Sequence, residues 1–185
     1  MTPRAYSDAG VVLARRNYGE ADRILSLFSQ NHGRITVIAK GIRKPASRKR
    51  GHLEVFSRIK FQAVRGKSLD LLTEAETIEN YSLVRKNLTK TSLAYFFLEV
   101  IGRTTREGEP HPELFALLVN YFENLGLTEK LKTLRNDFVI AVLVILGFWP
   151  KGKPLNDPDA KLEEVTERNF SSLRVGKRIL TDLEP

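Results

Sequence analysis

The chain has 185 residues, 42% of them hydrophobic and 28% charged, proportions that exclude a disordered chain. Thirty Lys and Arg against 22 Asp and Glu give a net charge of +8. The absence of cysteine excludes disulfides, thiolate zinc sites and cysteine catalysis, and fits a reducing compartment.

The first element in chain order is a strand over residues 8–16, D-A-G-V-V-L-A-R-R. A turn through Y-G-E-A-D leads to a second strand over 22–29. There Ile24 and Phe28 share one face and Leu25 and Leu27 the other. Glu20 and Asp22 sit close together and are expected to pair with Arg15, Arg16 or Arg23. Asn31-His32-Gly33 is a hairpin signal, because Asn and Gly tolerate positive φ. The third strand, Arg34–Lys40, alternates Ile35, Val37 and Ala39 with Thr36, Ile38 and Lys40. It turns at Gly41 into a basic loop. No acid falls between Arg34 and His52, and the loop carries Lys40, Arg43, Lys44, Arg48, Lys49 and Arg50. With no apolar run, the loop is not expected to pack a core of its own, and a solvated loop accounts for it as well as a polyanion contact does. A fourth strand is expected over 53–65 and, after the turn Gly66-Lys67-Ser68, a fifth over 69–77. Five short strands with no helix among them predict a small closed barrel of OB type, with an SH3-like barrel fitting the pattern nearly as well.

After Glu79 the period becomes helical. A short connecting helix is expected over 80–89. The next, Thr91–Arg106, places Leu93, Phe96, Phe97, Val100 and Ile101 on one stripe. Gly108-Glu109-Pro110 ends it. His111–Leu125 is amphipathic through Leu114, Leu117, Leu118, Tyr121, Phe122 and Leu125. Thr128 is a candidate N-cap for a helix reaching Leu146, apolar on every side from Phe138 and therefore expected to be the buried centre of a helical domain. Lys151–Asp159 reads as an exposed loop. Weak helical pattern follows at Glu164–Leu173 and Gly176–Leu183. The fold class is thus α+β, with a barrel domain over 1–79 and an α-helical domain over 80–185.

The charge is uneven. Residues 1–80 hold 15 Lys and Arg against 8 Asp and Glu, while residues 81–185 hold 15 against 14. A basic half beside a near-neutral half predicts a polyanion face on the barrel and other work on the helices. The N-terminus, M-T-P-R-A-Y-S-D, has no apolar signal-peptide core. The longest apolar run, Phe138–Trp149, falls short of the about twenty residues that span a bilayer, so a cytoplasmic protein is expected.

Enzyme chemistry has little support. His32, His52 and His111 have no partner at metal-ligand spacing and suit turns and helix starts. No nucleotide-binding or nucleophile motif is present. Glu74, Glu76 and Glu79 fit a solvated strand face. Nucleic-acid binding is better supported: cations follow the backbone of a single strand while aromatics stack its bases. The basic loop supplies the cations, flanked by Arg34, Arg65 and Lys67. Tyr18, beside Arg15 and Arg16, is the stacking candidate, with edge packing as the plainer reading.

Four segments taken together resemble the N-terminal domain of the RecO recombination-mediator family. They are Y-G-E-A-D-R-I-L-S-L-F, H-G-R-I-T-V-I-A-K-G-I-R-K-P-A-S-R, L-E-V-F-S and G-K-S-L-D-L-L-T-E-A-E. The likeness continues through S-L-A-Y-F-F-L-E-V-I, G-E-P-H-P-E-L-F-A-L-L and F-V-I-A-V-L-V-I-L-G-F-W-P, over about residues 5–150. It implies an OB-fold followed by a helical domain. It also implies binding of single- and double-stranded DNA, annealing of complementary strands, and loading of RecA onto strands coated by single-stranded DNA-binding protein, with RecR as partner in the RecF pathway. By the same resemblance the helical domain would dock the acidic tail of single-stranded DNA-binding protein. Arg103, Arg106, Lys130, Lys132 and Arg135 are candidates for the cationic rim of that site. Many chains of this kind carry a four-cysteine zinc element after the helix ending here at Leu146. This sequence has K-G-K-P-L-N-D-P-D-A there, so no metal is expected, and a shortened C-terminal part is. A pure interaction module and an RNA-binding OB protein are the alternative readings.

Overall fold

The computed structural model describes residues 4–47, 49 and 51–166. Five strands, β1 (Ala5–Tyr18), β2 (Asp22–Ser29), β3 (Gly33–Ala39), β4 (Arg58–Val64) and β5 (Asp70–Glu79), close into a barrel in the order β1-β2-β3-β5-β4. All neighbours pair antiparallel except β3 and β5, where Val37 lies opposite Asp70 and Ile38 opposite Leu71 in parallel. That single parallel pair closes the barrel and settles the choice between the two barrel types in favour of the OB-like one.

Alternation does most of the building. Ile35, Val37 and Ala39 point inward with Leu25, Leu27, Ile59, Phe61, Ala63 and Leu72. β1 reaches further than its sequence pattern indicated, pairing with β4 from Ala5 and with β2 to Tyr18. The fourth strand is shorter than the expected 53–65. Residues 53–57 leave the ladder because Phe56 takes a positive φ of 56°, a conformation that no strand residue holds. Its ring is nevertheless buried, and its N–H donates to the Val12 carbonyl at 2.8 Å.

The hairpin at Gly33 has a specific reason for its glycine. At φ +67° a Cβ there would lie 2.0 Å from the Glu109 carbonyl oxygen. The segment after the first long helix thus packs on this hairpin. The Gly108 N–H donates to the Arg34 carbonyl at 2.8 Å, and the Phe115 ring lies 6.1 Å from that of Phe28. Accordingly the chain divides into one compact unit of Met1–Asn80 with Thr105–Phe115, and a second of Tyr81–Thr104 with Ala116–Pro185. A cut at residue 79 would assign the hairpin's cover to the wrong unit.

The helices are α1 (Ser82–Arg85), α2 (Leu88–Thr104), α3 (Pro112–Leu127), α4 (Leu131–Ile145) and α5 (Pro158–Thr166). The stripe of Leu93, Phe96, Phe97, Val100 and Ile101 is buried along α2, as its spacing requires. Phe97 sits 4.1 Å, centroid to centroid, from Phe138 of α4. Two expectations need correction. The run from Phe138 is not buried all round: Phe138, Val139, Val142 and Leu143 are, whereas Ile140, Ala141, Val144 and Ile145 are part-exposed among the described residues. Also, Lys151–Asp159 is not wholly an exposed loop. Pro158 opens α5, where its missing N–H costs nothing, and the Asp157 carboxylate accepts from the Ala160 N–H at 3.0 Å. Asp159 is buried against Arg135. Of the two C-terminal helical patterns, residues 167–173 of the first and all of Gly176–Leu183 lie outside the described residues.

Candidate nucleic-acid interface

The basic segment between β3 and β4 is pinned to the barrel at both ends. Ile42 and Leu53 are fully buried and belong to the barrel core, so the segment does contribute to packing, contrary to its low-apolar composition. Gly41, at φ +65°, donates its N–H to the Asp22 carboxylate at 2.7 Å. Asp22 therefore serves the loop's backbone. The Arg43 N–H donates to the Ala21 carbonyl at 2.9 Å, and its guanidinium donates to the Glu20 carbonyl at 3.1 Å. Further on, Lys49 Nζ donates to the Leu72 carbonyl of β5 at 3.2 Å. His52 Nδ1 accepts from the Thr77 N–H at 3.2 Å. A backbone N–H can only donate, so the ring proton of His52 sits on Nε2.

These contacts sort the sequence-predicted cations. Lys40, Arg43 and Lys44 are exposed on the first part of the loop. Arg43 grips the β1–β2 turn immediately after Tyr18, which is 51% exposed. Lys49 is half-buried and held by β5. Arg48 and Arg50 lie outside the described residues. Arg65 and Lys67 are exposed in the β4–β5 turn, where the Arg65 guanidinium lies 3.8 Å from Asp70 and 4.9 Å from the Tyr6 ring centroid. The parallel register separates them from the loop. Lys40 follows Val37 and Lys67 precedes Asp70, its partner, so the two lie beyond opposite ends of the β3–β5 pair. Arg34 lies toward the Lys67 end, half-buried, with its Nε buried and without a hydrogen-bond partner. The predicted set is thus two groups, one on the loop beside Tyr18 and one around the β4–β5 turn.

The loop and β5 also frame an open cleft of about 580 Å³ lined by Gly41, Lys44, Ala46, Ser47, Lys49, His52, Thr73, Glu74 and Ala75. Sequence reasoning missed it, since no local pattern brings residues 41–52 against 73–75.

A polar cluster locks the other side of the barrel. The buried carboxylate of Asp8 accepts from the Ala9 N–H at 2.8 Å, the Asn31 N–H at 3.0 Å, Asn31 Nδ2 at 2.8 Å and His32 Nδ1 at 2.7 Å. Burial alone would raise its pKa. The bond from His32, followed by those from Asn31 and Ala9, overrides it and holds the carboxyl below its ordinary value.

In the helical unit Arg103 pairs with Glu99 at 2.6 Å, while Lys130 and Lys132 are exposed. Arg106 lies in the segment counted with the barrel. Arg135 is not a surface rim cation. It is 5% exposed, bonded to Asp159 at 2.7 Å and stacked 4.3 Å from the Phe96 ring centroid, because a cation inside a helix bundle must be paired.

Residues 1–81 match the family described as Recombination protein O N terminal, and residues 85–153 match Recombination protein O C terminal. The chain belongs to the RecO family. The DNA repair protein RecO of Pelotomaculum thermopropionicum is 36% identical over 147 residues, covering 80% of this chain and 57% of that protein. The one from Dehalococcoides mccartyi strain 195 is 30% identical over 180 residues, covering 97% and 70%. That of Myxococcus xanthus is 34% identical over 148 residues, covering 79% and 60%. The chain spans little more than half the length of several RecO proteins it matches. The barrel falls in the part matched by the N-terminal family model, and α2, α3 and α4 in the part matched by the C-terminal one. A four-cysteine zinc element does not fit this chain, which has no cysteine. Among the described residues no three His, Asp or Glu side chains converge on a metal position. No helix among the described residues is long and apolar enough to cross a membrane.

Proposed function

We propose that this chain is a non-catalytic recombination mediator that binds single- and double-stranded DNA through the barrel, without sequence preference. The observation that carries this reading is the loop of Lys40, Arg43 and Lys44, pinned by buried Ile42 and joined through Arg43 to the turn after exposed Tyr18. A fixed row of cations follows a phosphate backbone, and an exposed ring beside it stacks bases. Phosphate contact carries no base identity, which accounts for sequence-independent binding. A cationic surface holding two strands also lowers their mutual repulsion, a direct physical route to annealing complementary strands. Assisting RecA loading on strands coated by single-stranded DNA-binding protein, with RecR, follows by family membership and belongs to the same proposal. In the helical unit, docking of that protein's acidic tail falls to Lys130 and Lys132, beside Leu127, which is 76% exposed.

The test is a salt series of single-strand affinity. With about five phosphates neutralised, log K falls against log salt with a slope of about −3 to −4. Lys40→Ala with Lys44→Ala should flatten that slope by about 1.4, at about 0.7 per phosphate contact. An unchanged affinity and slope would rule this loop out as the main contact.

A further inference from the structure

We propose that the cleft between the β3–β4 loop and β5 is a subsite for one unpaired base of single-stranded DNA, an inference that rests on the DNA-binding reading above. The cleft is an open space of about 580 Å³ lined by Thr73–Ala75 of β5 and by Gly41, Lys44, Ala46, Ser47, Lys49 and His52 of the loop. Its polar groups come in two kinds. Lys49 and His52 bring donors. Lys49 has one Nζ hydrogen engaged by the Leu72 carbonyl, and His52 has Nδ1 engaged by Thr77, which leaves Nε2–H as its remaining polar group. From β5 Glu74 brings an acceptor. It is exposed and in no ion pair among the described residues.

That mixture decides the ligand chemistry. A phosphodiester has no donor to offer Glu74, so inside the cleft it would leave that carboxylate unmatched and beside a like charge. A base edge carries both acceptors and N–H donors, so it matches the lysine and histidine donors as well as the carboxylate. The flanking phosphates then stay outside, on Lys40, Arg43 and the Lys44 ammonium. A base inside a duplex has its edge taken by its partner and its faces by its neighbours, so only an unpaired base enters. The cleft therefore adds to single-strand affinity and nothing to duplex affinity. The phosphate contacts of the loop serve both.

The experiment uses the whole chain and fluorescence anisotropy at one fixed salt concentration. Three probes of equal length are compared: a single strand, the same sugar-phosphate backbone without bases, and a duplex. The wild type should bind the intact strand about tenfold more tightly than the abasic one. Ala46→Trp, an exposed loop position on the cleft rim, fills the space. It should lower intact-strand affinity several-fold, leaving only the share that Tyr18 stacking supplies, while abasic-strand and duplex affinity stay within about twofold. His52→Ala should lose much of the same preference. Equal binding of intact and abasic strands by the wild type overturns the subsite. So does an Ala46→Trp effect of equal size on all three probes, or no effect at all. A preference that survives Ala46→Trp undiminished and disappears in Tyr18→Ala places the base on Tyr18 and also overturns it. Binding to none of the probes sinks the DNA reading itself, and the cleft with it.

Discussion

Asp8 shows how one side chain can hold a loop in register. Its carboxylate takes four hydrogen bonds, three of them from Asn31 and His32 in the β2–β3 hairpin. Asp8→Ala leaves those donors without their acceptor in a part-buried site and should destabilise the barrel by about 1–3 kcal/mol in urea melts near neutral pH. The pH dependence has a definite sign. The folded carboxyl lies below its ordinary value of 3.8, so the unfolded chain takes up the proton first as pH falls. Stability present above about pH 4 therefore drains as the pH drops through the carboxylate range toward the lower folded value. Asp8→Asn should remove this part of the acid sensitivity, and a variant as acid-sensitive as the wild type would contradict the role given to Asp8. At the same scale Asn31-His32-Gly33 was legible as a turn, because Gly and Asn favour positive φ. Its partners, Asp8 and the Glu109 carbonyl, were not, since they lie 23 and 76 positions away in the chain.

The basic loop is an element whose composition misleads. Its few apolar residues suggest a solvated segment, yet Ile42 and Leu53 are fully buried in the barrel core. Ile42→Ala should cost about 2–5 kcal/mol in equilibrium unfolding, the range for a buried aliphatic truncation. Lys44→Ala should stay within about 0.5 kcal/mol. Equal, small effects at both positions would return the loop to the solvated reading. The same contrast explains the helices. α2 was readable because its stripe at helical spacing is long. α5 was not, because Pro158 reads as a loop breaker until the Asp157 cap and the Arg135–Asp159 pair show it to be a first-turn proline. Arg135 was misplaced for a related reason. Charge on a helix normally means surface, and only the packing of α5 and Phe96 shows that this one is inside.

Across the whole molecule the excess charge lies in the barrel half, with the helical half near neutral. The proposed steering of DNA thus belongs to the barrel, and the proposed partner docking to the helices. Accordingly, Lys130→Glu with Lys132→Glu should weaken an acidic, Phe-ended tail peptide several-fold in a direct titration and leave single-strand affinity unchanged. Equal peptide affinities would sink that assignment. By itself the sequence determined the class of fold, the five strands and the main helices, because alternation and helical periodicity are local signals that burial enforces. It also determined family membership and the excess of positive charge. Only the tertiary structure decided which cations stand together. The parallel β3–β5 pair sends Lys40 and Lys67 to opposite ends, the bundle buries Arg135, and the loop closes over β5 to form a cleft. Each of these depends on contacts between residues distant in the chain, and such contacts leave no periodic trace in it.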